Sequence, residues 1–239
     1  MKTIAIIPLR GSDREAQTTP EALLCGKPVL AYTIEAARAA MCLDRIIVST
    51  DSPAVAEIAR QYGAEAPFLR PEELTRSDVP MTRVLQHALE WLEHEEQCTP
   101  DIVVLLESTH PIRPAGLIDN VVSVLLDEEL DTVFAAREER HRFWKYGEGG
   151  LAQIAAEEGD HTRQQVLPLY KELAGMATAV RAEVLRRGER AGSRVGLVPI
   201  HSHATVVDLH DEDGWWLASR LIAAEAAADS AAGGETRRR

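Results

Sequence analysis

"RIIVSTDSPAVAEIARQYG", residues 45–63, holds a strand, a turn and a helix in one short stretch. Ile46, Ile47 and Val48 form an apolar, β-branched run, which predicts a strand over 45–51. Ser52 is the expected N-cap of the following helix and Pro53 its first residue, where a missing N–H costs nothing. Gly63 is the expected C-cap.

The same unit recurs in both directions. Upstream, "TIAIIP" (3–8) is apolar throughout and predicts a buried strand, and "PVLAYTIEAARAA" (28–40) predicts a helix with Leu30, Ile34 and Ala37 at helical spacing. Downstream, "APFLRP" (66–71) reads as a short extended piece. "VPMTRVLQHALEWLEHEE" (79–96) then reads as an amphipathic helix with Val84, Leu85, Ala88 and Leu92 facing inward. "DIVVLLEST" (101–109) predicts a strand, "AGLIDNVVSVLLDEE" (115–129) a helix and "DTVFAAR" (131–137) a strand. This β–α repetition implies a three-layer, Rossmann-like α/β fold: a mostly parallel sheet covered by helices on both faces.

After Arg137 the pattern breaks, so an arm or lid is expected at about residues 137–176. Regular structure resumes with "AGMATAV" (174–180), a helix near 182–188, the strand "RVGLVPIH" (194–201) and a final helix starting at Asp213. The expectation is one domain over residues 1–226 and a disordered tail at 227–239.

The chain has 239 residues, is 45% hydrophobic and carries a formal charge of -12. That charge argues against nucleic acid or an anionic membrane as partner, since both call for a basic face. A small anionic ligand remains compatible, held by a few local arginines and a metal ion. Cys25, Cys42 and Cys98 show no paired spacing, which suggests neither a disulfide framework nor a zinc site, but buried apolar fillers. The apolar run at 4–9 is too short for a leader or a membrane span, and no later window of spanning length is free of charge, so a cytoplasmic setting is expected.

In an open parallel sheet, ligands bind at the carboxyl ends of the strands. The segments expected there are "LRGSDR", "STD", "ESTHPIRP" and "VVDLHDED". They supply cations and backbone N–H groups for phosphate, hydroxyls for ribose and aspartates for Mg²⁺. Neither G-x-x-x-x-G-K-[ST] nor G-x-G-x-x-G occurs, which leaves P-loop hydrolysis and simple dinucleotide binding without support.

Taken in order, "IIPLRGSDR…GKPVLAYTIEAA", "DRIIVSTDS…VAEIARQYGAEAPFLRPEEL", "HALEWL", "DIVVLLESTHPIRP", "TRQQ…LYKE" and "VVDLHDEDGWWLA" resemble the acylneuraminate (CMP-sialic acid) cytidylyltransferase family over residues 2–221. The resemblance implies a nucleotide-diphospho-sugar transferase fold, CTP as co-substrate with Mg²⁺, an acidic 2-keto-3-deoxy sugar as acceptor, and a homodimer whose arm reaches the partner's site. Arg10, Gly11 and Arg14 fall on the family's first loop, and the resemblance gives both arginines a phosphate-facing catalytic role. Ser12 and Asp13 replace a glycine and a serine there, while Thr19 and Pro20 replace a lysine and an asparagine. Ser49 and Arg70 fall on ribose- and cytosine-binding positions. Glu107 stands where the family has a glutamine associated with the sugar acid. Arg163, Gln164, Tyr170 and Glu172 match arm positions, and Leu173 and Ala174 replace an asparagine and a glycine. Asp208 matches the first metal-binding acid, His210 takes the place of the second, and Asp211 is the other candidate ligand.

Plainer readings stand beside these. Asp208, His210 and Asp211 fit a solvated turn capping the last helix. His201 and His203 fit surface or packing roles, Trp215 and Trp216 fit core or interface anchors, and Phe143 and Trp144 fit a dimer interface. Glu93, Glu95 and Glu96 fit a solvated helix face. A divergent transferase with another anionic acceptor, or a catalytically weak homologue with a binding or assembly role, also fits the altered first loop.

Overall fold

The computed structural model describes residues 1–11, 22–147, 149–154, 167–202 and 207–235. Along the chain, β1 (Thr3–Leu9) is followed by a small hairpin of β2 (Leu23–Leu24) and β3 (Lys27–Pro28), then α1 (Val29–Ala39), β4 (Arg45–Thr50) and α2 (Pro53–Gln61). A 3₁₀ turn (Glu72–Leu74) leads to α3 (Met81–Glu95), β5 (Ile102–Leu105), α4 (Leu117–Asp127) and β6 (Thr132–Glu139). Next come β7 (Phe143–Gly147), β8 (Gly150–Ile154) and β9 (Leu169–Glu172). Last come β10 (Thr178–Arg181), α5 (Ala182–Arg186), β11 (Val195–Ile200) and α6 (Glu212–Glu235).

The central sheet has the order β11-β6-β10-β5-β1-β4, with β9 added against β6. β4, β1 and β5 run parallel, and β6 and β11 run parallel. β10 is antiparallel to both β5 and β6, so those two halves share one direction. Alternation along the strands feeds two cores. Ala5, Ile7, Val48, Val104 and Ala179 pack under α1, α2 and α4. Ile4, Ile6, Ile47, Val103, Leu105 and Val180 pack against α3 and α5. A third cluster seats α6 on Leu24, Val29, Val207 and Leu209.

The local signals of residues 45–63 operate as expected. Ser52 Oγ accepts from Val55 N–H at 3.3 Å, and Gly63 takes φ +90 just past the C-cap, Tyr62. Some expectations need correction. Pro28 is the N-cap of α1 rather than a first-turn residue, since its ψ of 136 keeps it outside the helix. β5 stops at Leu105, because Glu107 N–H turns aside to bond the Gly175 carbonyl. α6 continues to Glu235, past the start of the expected tail. Cys25 is exposed at φ +51 in the β2–β3 turn, and only Cys98 is fully buried. Trp215 packs inward while Trp216 is 62% exposed under Arg220. Glu93 pairs with Arg186 at 2.7 Å and Glu96 with Arg45 at 2.6 Å, so part of that helix face clamps neighbouring elements. His201 is exposed, and His203 lies outside the described residues.

Candidate active site

The carboxyl edge of the parallel strands carries two polar groups of residues. The first surrounds the exit of β1. Gly11 N–H donates to Asp51 Oδ1 at 2.8 Å. Arg70 Nη2 donates to the Leu9 carbonyl and lies 3.9 Å from the same Asp51 oxygen. Arg70 is brought there by backbone: Thr50 bridges Leu69, and Arg70 N–H donates to the Thr50 carbonyl at 2.7 Å. Its side chain is almost wholly buried. Burial and, to a lesser degree, the charge of Arg10 pull its pKa below the usual arginine range, and Asp51 opposes them. Thus Arg70 braces the first strand end, and Arg10 stands within its electrostatic reach. Two buried atoms here, Ser49 Oγ and Arg70 Nε, have no hydrogen-bond partner among the described residues.

The second group surrounds the exit of β5. Arg113 is its organising residue, and it received no role from the sequence. Its Nε donates to the Met176 carbonyl at 2.8 Å, and its Nη1 to Thr33 Oγ1 at 2.8 Å and the His110 carbonyl at 2.7 Å. Its Nη2 donates to the Gly175 carbonyl at 3.0 Å and to the Glu107 carbonyl. Burial pulls its pKa down to about 9, with Glu107 opposing, so it remains a cation at neutral pH. The available signal was an arginine between Pro111 and Pro114, flanked by apolar elements it had to join.

Glu107 is placed over Gly175: a Cβ there would stand 2.4 Å from Glu107 Oε2 and 2.8 Å from its Cβ. Burial holds the Glu107 carboxyl above the usual range. His210, Arg113 and Arg190 oppose that shift and Asp208 adds to it, so all four lie within electrostatic reach. Replacing Gly175 by alanine is expected to push Glu107 off this position and cost about 1–3 kcal/mol of stability, measured by urea unfolding.

The segment before α6 lies against this loop, with Leu209 N–H donating to the Thr109 carbonyl at 2.9 Å. Asp208 Oδ1 bonds His210 Nδ1. Asp211 Oδ1 accepts from Gly214 N–H at 2.7 Å and caps α6, so the capping role is realised at Asp211. Tyr170 sits on β9, 43% exposed and paired in register with Glu138, and no described contact joins it to Glu107 or Asp208. Ser12, Arg14, Arg163 and Gln164 lie outside the described residues.

Mg²⁺ binds through one or two carboxylates with substrate phosphates and water completing its shell. Among the described residues no three His, Cys, Asp or Glu side chains converge to hold a metal unaided. Asp208 and Asp211 each have one carboxylate oxygen committed, to His210 and to the α6 cap respectively, and each keeps a second oxygen that fits the lesser requirement.

The three-layer fold is the one found in nucleotidyltransferases. A solved CMP:2-keto-3-deoxy-manno-octonic acid synthetase, complexed with CTP, superposes with a TM-score of 0.68 at 16% identity, covering 94% of this chain and 100% of that one. The chain belongs to the cytidylyltransferase family, which matches residues 4–173. It is 36% identical over 126 residues to CMP-N,N'-diacetyllegionaminic acid synthase of Legionella pneumophila, covering 52% of this chain and 53% of the relative. It is 32% identical over 138 residues to pseudaminic acid cytidylyltransferase of Campylobacter jejuni, covering 58% and 59%. The chain therefore spans little more than half the length of these relatives. No helix among the described residues is long and apolar enough to cross a membrane.

Proposed function

We propose that this chain transfers CMP from CTP to an acidic sugar of the 2-keto-3-deoxy kind. The observation that carries the reading is the cytidylyltransferase match over residues 4–173, which includes Arg10, Ser49, Arg70, Glu107 and Tyr170. The acceptor hydroxyl attacks the α-phosphorus of CTP. The bond from that phosphorus to the α–β bridging oxygen breaks, pyrophosphate leaves with the electron pair, and the hydroxyl proton passes to solvent. Positioning and charge neutralisation then account for catalysis, with no covalent protein nucleophile.

In this proposal Arg10 and Arg14 neutralise the triphosphate, Ser12 offers a backbone N–H group, and Gly11, bonded to Asp51, holds the loop that carries them. Ser49 and Arg70, both at the strand ends within the matched region, orient ribose and base. Asp208 holds Mg²⁺, with Asp211 as the further candidate. Bound there, the ion would draw charge from the phosphate oxygens. Arg163, Gln164 and Tyr170 serve the acceptor from the arm, across a homodimer. The β7–β8 hairpin supports a dimer, since it pairs with itself and exposes Trp144, Tyr146 and Leu151. A cytoplasmic setting, with its CTP pool, belongs to the same proposal.

The test is pyrophosphate release with CTP, Mg²⁺ and a panel of sugar acids. Asp208→Asn is expected to lower turnover about a hundredfold and raise the Mg²⁺ needed for half-maximal rate. Absence of both CTP binding and pyrophosphate from the unmodified chain would leave the binding or assembly role, which the replacement of a lysine and an asparagine by Thr19 and Pro20 favours.

A further inference from the structure

We infer that His210 is a positioning residue for the divalent ion: by holding one oxygen of Asp208 it leaves the other to meet the ion alone, which suits Mg²⁺ or Mn²⁺ and disfavours Ca²⁺. The inference rests on the CMP-transfer reading and concerns how this chain seats the ion of that reaction.

The backbone that carries the pair is fixed. Leu209, between Asp208 and His210, is fully buried in the cluster that seats α6, and Val207 is buried beside it. Leu209 N–H donates to the Thr109 carbonyl at 2.9 Å, and His110 Nδ1 lies 3.4 Å from the Val207 carbonyl, so the segment is tied to the loop leaving β5. From the other side the first turn of α6 closes over the same peptide. A Cβ on Gly214 would stand 1.7 Å from the Asp208 carbonyl oxygen.

The Asp208 side chain has no such confinement, since it is 44% exposed and the His210 side chain 62%. Among the described residues only His210 bonds its carboxylate, through Nδ1 to Oδ1. A carboxylate accepts and does not donate, so Nδ1 carries the hydrogen of this bond. A pair this exposed adds little to folding. Its effect is to choose one orientation for a carboxylate that would otherwise turn. Of the two candidate metal ligands, Asp208 is also the one within electrostatic reach of Glu107 and His110 at the strand edge.

With Oδ1 engaged, Asp208 offers an ion one free oxygen. Mg²⁺ accepts such a ligand, because it demands a regular octahedron and completes it with phosphate oxygens and water. Ca²⁺ takes more oxygens in looser geometry and can grip a carboxylate through both. A partner that orients a metal ligand in this way is worth about tenfold to a hundredfold in metal affinity.

The experiment measures CTP affinity by calorimetry without metal and with saturating Mg²⁺, Mn²⁺ or Ca²⁺, and reads the gain that each ion gives. His210→Ala removes the donor, while His210→Asn places an amide N–H close to the position of Nδ1 and keeps it. In the unmodified protein Mg²⁺ and Mn²⁺ are expected to give a larger gain than Ca²⁺. His210→Ala is expected to cut the Mg²⁺ gain about tenfold or more and to change the Ca²⁺ gain less than about twofold, with the urea midpoint and metal-free CTP affinity unmoved. His210→Asn is expected to stay within about threefold of the unmodified protein. In an Asp208→Asn background, His210→Ala is expected to change the Mg²⁺ gain less than about twofold, because the two residues act as one unit. Absence of CTP binding under every condition overturns the CMP-transfer reading and takes this inference with it. With CTP bound, three results overturn this inference alone: no gain from Mg²⁺ in the unmodified protein, an undiminished gain in His210→Ala, or a His210→Asn variant as poor as the alanine one, which would make Nε2 itself the ligand.

Discussion

Arg113→Ala is expected to lose on the order of 4 kcal/mol of unfolding free energy, which would place it among the most damaging single substitutions in this chain. The guanidinium joins three elements that hydrophobic packing alone does not register. Thr33 belongs to α1, the Glu107 and His110 carbonyls to the loop leaving β5, and the Gly175 and Met176 carbonyls to the segment entering β10. Removing the side chain leaves the His110 and Met176 carbonyls without their guanidinium donor, in a region where Thr33 and Met176 are fully buried, while the Gly175 and Glu107 carbonyls keep the bonds from Glu107 N–H and Thr33 Oγ1. Water can reach some of them, since Arg113 itself is only partly enclosed, and this limits the loss. Lysine keeps the charge but offers three rotating donors in place of a planar fork of five, so Arg113→Lys is expected to recover no more than about half the stability. Urea midpoints of the three proteins test this. A loss below about 1 kcal/mol for the alanine variant would mean that packing, and not the guanidinium, holds the β5–β10 junction.

The contrast between Arg113 and the first strand–helix unit explains what was legible beforehand. Residues 45–63 carry their instructions locally: β-branched residues for the strand, Ser52 and Pro53 for the helix start, Gly63 for its end. Each signal acts within a turn or two, so it can be read without knowing the rest of the chain. The strand ends were legible as a set because a parallel sheet sends them all to one edge. The partners at that edge were not. Arg113 bonds residues 80 positions before it and 63 after it, and nothing periodic announces such contacts. The segment of β10 was read as regular structure, but its antiparallel direction was not, since a four-residue strand carries no direction in its sequence. Asp211 shows the reverse case, where one residue fits both a metal site and a helix cap, and only the Gly214 N–H decides which use is seen. Cys25 was misjudged because apolar character gives the preference for burial but not the place in the fold.

Gly11→Ala is expected to lower kcat/KM for CTP by about tenfold to a hundredfold, with the fold retained. A Cβ on residue 11 would stand 2.3 Å from Ser52 Cβ and 3.3 Å from Ser52 Cα, which belong to the first residue of the α2 cap. Such a contact cannot be relieved by turning a flexible side chain. Either the chain leaving β1 moves outward, or Ser52 is driven off its bond to Val55 N–H at a cost of about 1 kcal/mol. Outward movement breaks the Gly11 N–H bond to Asp51 and carries Arg10 away from the Arg70–Asp51 brace. In the proposed mechanism this displaces the cation that faces the triphosphate, and a misplacement of about 1 Å is enough for a loss of that size. Ser52→Gly provides the control. Glycine is a tolerable N-cap, so this change alone is expected to cost only a few tenths of a kcal/mol, and it removes the Cβ that the new methyl would strike. The double variant Gly11→Ala/Ser52→Gly is therefore expected to recover at least about tenfold of the lost kcat/KM, a coupling that independent sites would not show. If the double variant is no better than Gly11→Ala, the close approach of the first loop to α2 is not what positions Arg10, and the proposed phosphate role of that loop loses its structural basis.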